Sequence, residues 1–102
     1  MEYKYGELPA NQIRNQKKYF QGAIYQLIPY REEGYMFLNG RFLSLLQQLD
    51  GFNRLCNEQA VVLTIMSLLE YARFETDFAK YRKAILDAVA LVNEIKEDDS
   101  DV

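Results

Sequence analysis

The chain has 102 residues, which fit one compact domain and leave no room for a second. Hydrophobic residues make up 49% of it and charged residues 26%, enough for an apolar core beneath an ordinary polar surface. It contains no histidine and a single cysteine, Cys56. These counts exclude histidine-activated nucleophiles, histidine-ligated zinc and an internal disulfide.

The net charge is −3 and is unevenly distributed along the chain. Residues 1–56 carry seven basic and five acidic side chains, whereas residues 57–102 carry five basic and ten acidic ones. This balance argues against generic nucleic-acid binding, which needs clustered positive charge. From the polar start Met1–Tyr5 we expect no secretory leader, and no apolar run reaches the ~20 residues of a membrane span. We expect a cytoplasmic protein, since a lone cysteine gains nothing from export.

The first predicted helix follows a short arm, residues 1–8. Pro9 suits the first turn of a helix, and apolar residues at helical spacing continue over residues 10–28. Pro29 should break or kink this helix, because proline disfavours helical backbone at the residue before it. Within it, Gly22 either weakens the helix or lets a neighbour approach closely.

The second predicted helix begins between residues 30 and 35 and ends at Asp50–Gly51. The pair Asn39–Gly40 is also a hairpin signal, but its flanks do not alternate with period two and more positions fit a helix. Residues 52–57 are predicted to be a connection.

The third predicted helix covers residues 58–74, with Asn57 as N-cap. It is apolar nearly all round between residues 60 and 69, which predicts a position at the centre of the domain. It also carries a stripe of small residues that would let another helix pack closely, formed by Ala60, Thr64 and Ser67. Apolar surface left exposed on this helix would favour self-association.

The fourth predicted helix starts at a cap formed by Thr76 or Asp77 and runs to residue 97. No glycine or proline separates it from the third, so one long bent helix is an alternative. Residues 98–102 are predicted to be a disordered acidic tail. The expected fold is therefore all-α: a compact bundle of three to four helices in one domain, residues 1–97, with a short arm before it.

No catalytic, cofactor or metal-binding residue is predicted. Cys56 is expected to be a buried small hydrophobe, because it lacks a histidine partner and follows apolar neighbours. Glu70 is expected to face solvent or pair with an arginine. The acidic stretch 98–101 lacks the glycine and distal glutamate of a calcium loop. The five glycines are scattered, so no phosphate-binding loop is formed. We expect a protein that is not an enzyme.

The tyrosines indicate a binding surface. Six of the eight lie in the first 35 residues, beside basic side chains. Tyrosine and arginine anchor protein interfaces because they combine large contact area with directional hydrogen bonds. The predicted partner-binding residues are Tyr3, Tyr5, Arg14, Lys18, Tyr19 and Arg31. Alternatively, Tyr25, Tyr30 and Tyr35 cover the core with their hydroxyls in water.

The leading hypothesis is a protein–protein interaction module whose partner is another protein. In size and composition the chain resembles small regulators or inhibitors encoded by bacterial mobile elements, which implies a regulator, an inhibitor or an accessory subunit. The alternative is a nucleic-acid-binding accessory protein that uses Lys17-Lys18-Tyr19, where charge and stacking surface adjoin. Homo-oligomerisation is compatible with the leading hypothesis.

Overall fold

The computed structural model describes residues 10–56 and 58–97. Within these ranges the chain forms helices and no strands: α1 (Ala10–Tyr25), α2 (Leu27–Glu32), α3 (Leu38–Leu55), α4 (Ala60–Phe74) and α5 (Phe78–Val92). The predicted all-α class is confirmed, with four long helices and one short one. The predicted arm, the Asn57 cap and the acidic tail lie outside the described residues.

The break after α1 falls at Gln26, so the predicted end at residue 28 is wrong. Pro29 lies inside α2, at its third residue, and it has no N–H to donate to the carbonyl of Tyr25. The helix therefore breaks one turn before the proline. Around Gln26 the backbone keeps two hydrogen bonds of helical spacing, to Gly22 (3.1 Å) and from Tyr30 (3.0 Å), so α1 and α2 form a kinked pair.

The third helix of the fold, α3, starts at Leu38 and excludes the hairpin at Asn39–Gly40. It continues through Gly51 to Leu55, so the predicted end at Asp50–Gly51 and the connection over 52–57 are wrong. Phe52 extends the buried stripe of this helix, and burial of its ring outweighs the ~1 kcal/mol cost of a helical glycine.

The alternative of one long bent helix is wrong, because α4 and α5 are separate helices. The backbone is extended at Glu75 and at Asp77. Asp77 is the N-cap of α5, as predicted, and its Oδ2 accepts a hydrogen bond of 3.0 Å from the backbone N–H of Lys80. The start of α4 is two residues later than predicted, at Ala60, and α5 ends at Val92 rather than at residue 97.

The long helices pack in the order α1, α5, α4, α3, each against the next. The contact between α4 and α5 is the most extensive, followed by those of α1 with α5 and of α3 with α4. Chain neighbours α3, α4 and α5 run antiparallel, as the short connections predict. The core contains residues from all five helices, among them Phe20, Ile24, Leu27, Phe42, Leu49, Ile65, Leu69, Tyr81 and Ile85.

Helix α4 packs between α5 and α3, but it is not enclosed on all sides, which corrects the prediction made from its apolar composition. Val62, Ile65, Leu69 and Ala72 face the core, but the opposite side is exposed along the whole helix. A core to which five helices contribute needs only one face of each. None of the described helices is long and apolar enough to cross a membrane.

Candidate interaction surfaces

Lys17 of α1 packs against the residues that follow α5, and the residue is only 8% exposed. Its ammonium donates hydrogen bonds to the carbonyls of Asn93 (3.2 Å) and Ile95 (2.8 Å) and to Oε2 of Glu97 (3.0 Å). The carbonyls at and just beyond the end of α5 have no partner within the helix, and this lysine of α1 provides hydrogen bonds to two of them. Its charge is therefore used inside the molecule.

Glu97 also accepts a hydrogen bond from Nε of Arg14, at 3.2 Å. The hydrogen bond from Lys17, followed by the nearby charges of Lys17 and Arg14, holds the pKa of Glu97 below its usual value. Lys17 and Arg14 of α1 therefore both pair with the carboxylate of Glu97, which follows the end of α5. Arg14 thus has a partner within the molecule.

Lys18 and Tyr19 are both exposed, and Tyr19 lies on the side of α1 that faces α3. The hydroxyl of Tyr19 donates a hydrogen bond of 2.7 Å to Oε1 of Gln48. Because Lys17 points inward, Lys17-Lys18-Tyr19 presents only one exposed ammonium. This arrangement does not favour the region as a phosphate-binding surface.

A groove of about 520 Å³ lies between α1 and α3. Its floor contains the rings of Phe20 and Phe52, whose centroids are 5.3 Å apart, and Leu55. Amide side chains of both helices, including Gln16 and Gln48, form its rim. The groove leaves part of the space between α1 and α3 open, whereas the contact of α1 with α5 is extensive.

Arg31 lies in α2, beyond the C-terminal end of α1, and next to the connection between α4 and α5. Its two terminal nitrogens donate hydrogen bonds to the carbonyls of Glu75 (2.7 Å) and Thr76 (2.6 Å). Its guanidinium carbon is 4.4 Å from the centroid of the Tyr81 ring. Arg31 therefore ties α2 to that connection.

The predicted partner-binding residues do not form one surface. Arg14 and Lys18 share a face of α1, Tyr19 faces α3, and Arg31 lies at the far end. Tyr3 and Tyr5 lie outside the described residues. The only member of the set without a hydrogen bond or ion pair in the described part of the chain is Lys18.

A different group of large apolar side chains is exposed at the end of the bundle near Arg31. Met36 is 81% exposed, Phe74 69%, Phe37 64% and Tyr35 39%. Tyr35 and Phe74 line one open hollow of about 440 Å³, together with Arg31 and residues of the α4–α5 connection. We call Tyr35, Met36, Phe37 and Phe74 the aromatic end.

The aromatic end is held by the backbone and by ring contacts. The backbone N–H of Tyr35 donates to the carbonyl of Tyr30 (2.9 Å), and the two rings stack with centroids 4.7 Å apart. The Phe37 ring meets Tyr35 edge-on at 5.9 Å. The guanidinium of Arg73 lies 4.4 Å from the Phe74 ring. The exposed rings are thus presented in defined positions.

Sequence reasoning did not single out Met36, Phe37 or Phe74 as binding residues. Met36 and Phe37 fall off the helical stripe that starts at Tyr35 and Leu38, and this displacement is the signal that could have identified them. Their exposure depends on α3 starting only at Leu38, which local periodicity did not fix.

Two predictions about reactive groups are confirmed. Cys56 is buried, and desolvation raises the pKa of its thiol to about 11, so it stays protonated at neutral pH. Glu70 is exposed, and its Oε1 lies 3.5 Å from Nε of Arg73. Across the described residues, no three cysteine or carboxylate side chains cluster as metal ligands would.

Comparisons with protein-family models, with curated proteins and with solved structures gave no match to this chain.

Proposed function

We propose that this chain is a non-enzymatic protein–protein interaction module that binds another protein through the aromatic end. The observation that carries the proposal is the joint exposure of Met36, Phe37 and Phe74, each more than 60% accessible, on one end of the bundle. Adjacent exposed apolar side chains of this size mark interaction sites on soluble proteins. The partner would act in the cytoplasm, where a chain with one cysteine is stable without disulfides.

The composition of the aromatic end fits an interface core. Aromatic residues, methionine and arginine are enriched at such cores, and all three types occur here. Arg73 lies against Phe74 and Arg41 lies 5.8 Å from the Tyr30 ring, so guanidinium groups border the apolar surface. The matching partner is a protein with an apolar cleft that accepts Met36 and Phe37.

The ordering of this surface before binding also supports the proposal. The backbone N–H of Tyr35 donates a hydrogen bond to the carbonyl of Tyr30. Beside Phe74, Arg31 donates hydrogen bonds to two carbonyls of the α4–α5 connection. A surface that is already ordered loses less conformational entropy on association.

The test is quantitative affinity capture from native cells with a matched set of variants. Met36→Ala with Phe37→Ala removes the centre of the aromatic end. Tyr25→Ala is the matched control, since that ring is 48% exposed on α1. Arg14→Ala with Lys18→Ala tests the face that the sequence suggested.

We expect a protein that is retained by wild type, by the control and by the α1 variant, and lost by the aromatic-end variant. With that protein purified, calorimetry should show Kd raised by about 30-fold or more, as expected for interface anchors of about 1 kcal/mol or more each. Circular dichroism must show unchanged helicity. Undiminished binding by the aromatic-end variant would disprove this assignment of the surface.

A further inference from the structure

Arg41, in the first turn of α3, is a half-buried arginine whose side chain has no polar partner. Its guanidinium forms no hydrogen bond and no ion pair within residues 10–56 and 58–97, and its Nε is buried and unsatisfied. The guanidinium carbon lies 5.8 Å from the centroid of the Tyr30 ring, a favourable but weak contact. Partial burial of a charge without acceptors is unfavourable, so the free N–H groups of Arg41 are suited to an acceptor on another molecule.

The other half-buried arginines of the described chain do have polar partners. Arg31 donates to two backbone carbonyls, and Arg73 has an amide and a carboxylate beside it. Carboxylates are also close to Arg41 along the chain, since Glu32 and Glu33 end the preceding helix, yet both are exposed and neither pairs with it. Arg41 is therefore left without a counter-charge although acidic side chains are near.

Arg41 borders the aromatic end. Phe37 precedes it by four residues, one helical turn, and the backbone N–H of Arg41 donates to the Phe37 carbonyl at 3.1 Å. The Tyr30 ring that Arg41 approaches stacks on Tyr35, and Tyr35 meets the Phe37 ring edge-on. The unpaired guanidinium and the exposed aromatic rings thus belong to one continuous surface.

We propose that the partner of the aromatic end presents an aspartate or glutamate beside its apolar contact, and that this carboxylate binds the terminal nitrogens of Arg41. The inference rests on the proposed function and adds the chemistry of the partner. A guanidinium can donate two parallel hydrogen bonds to a carboxylate, which fixes the register of the apolar side chains that pack on Phe37. The positive end of the α3 dipole lies in the same turn, where no acidic side chain occurs.

The acidic residues around this surface favour one carboxylate over a polyanion. Glu32 and Glu33 are exposed at the end of α2, and Glu70 is exposed on α4. A nucleic acid or an anionic membrane spreads negative charge over a wide area and would meet these carboxylates as well as Arg41. A single acidic side chain of a protein partner avoids that repulsion.

The probe is a phage library of random short peptides, selected on the full chain. Wild type should enrich peptides in which an acidic residue adjoins a large apolar one. Arg41→Gln should lose the preference for acidic residues and keep the apolar one, whereas Arg41→Lys keeps the charge and should retain both. The matched control is Arg82→Gln, since Arg82 is an exposed arginine of α5, and it should select like wild type. Circular dichroism of each variant must show unchanged helicity.

A double-mutant cycle then measures the pair directly. The most enriched peptide is synthesised with its acidic residue and with the corresponding amide. For wild type the amide should raise Kd about tenfold, as expected when a hydrogen bond between charged groups is lost. For Arg41→Gln the two peptides should bind alike. An equal effect of the amide on both proteins would overturn the proposal.

The selections separate this inference from the proposed function. Peptides that depend on Met36 and Phe37 but carry no acidic residue would overturn the inference and leave the proposed function standing. Peptides that Met36→Ala/Phe37→Ala selects as wild type does would contradict the aromatic end as the binding surface. Selection of no peptide by wild type counts against both. Retention of wild type on heparin that Arg41→Gln abolishes would indicate a polyanion and overturn the inference.

Discussion

Lys17 lies in the junction between the first and last helices, although lysine is seldom buried. Its ammonium has three acceptors within 3.2 Å, two of them backbone carbonyls after α5. Such a site is stable because the charge is compensated and the donors are satisfied. Lysine in an amphipathic helix usually predicts a solvent-exposed face. Lys17 is buried instead because its acceptors come from the residues after α5, which are distant in sequence.

The carboxylate of Glu97 gives this junction a measurable pH dependence. Lys17 lowers the pKa of Glu97 in the folded state, so the ionised form stabilises the fold. That stabilisation is complete above the unfolded value of about 4.3 and is lost as the pH falls through the lower, folded pKa. We expect Glu97→Gln to lower the melting temperature at pH 7 and to leave it nearly unchanged at the acid end of this range.

The control for this prediction is Glu94→Gln, since Glu94 is exposed and three residues away. Thermal melts of the three proteins should be compared from pH 7 down to the acid limit. If Glu97→Gln and wild type differed by the same amount at every pH, the carboxylate would not be responsible.

At the scale of helices, the sequence predicted the caps and stripes that depend on near neighbours. Asp77 as an N-cap was correct, since a cap depends on residues within one turn of it. The end of α3 was wrong, because the burial of Phe52 against Phe20 of α1 decides whether the helix continues past Gly51. Long-range contacts of this kind are not visible in local periodicity.

Two glycines should respond to alanine in opposite directions. A Cβ at Gly22 in α1 would meet no atom within 4 Å, so the close approach considered from the sequence does not occur. Gly22→Ala should stabilise the protein by about 0.5–1 kcal/mol, because alanine loses less entropy in a helix. Gly34 has φ +70, a conformation strained for alanine, so Gly34→Ala should destabilise it by about 1 kcal/mol.

Urea unfolding of both variants beside wild type measures these differences. A stabilising Gly34→Ala, or a destabilising Gly22→Ala, would contradict the backbone geometry described for the turn and for α1.

For the molecule as a whole, composition indicated the bundle, but it did not indicate which faces remain exposed. The apolar content of residues 60–69 suggested a helix enclosed on all sides, whereas one side of α4 is exposed along its whole length. Likewise, the tyrosines near the N-terminus suggested one binding face, but the four that the structure describes have different surroundings. The exposure of a helix face depends on which helices pack beside it around the core. That arrangement cannot be read from the local pattern of a single sequence.

The loose side of α1 has a consequence for local unfolding. Helix α1 packs on α5, but the groove separates much of it from α3, whereas α4 and α5 share the most extensive contact. We expect α1 to detach as a cooperative unit before the rest opens. In native-state hydrogen exchange, its amides should exchange with a lower free energy of opening than those of α4 and α5, and equal values would disprove this. Such an opening would uncover the side of α5 that packs on α1, while α4 and α5 stay packed on each other.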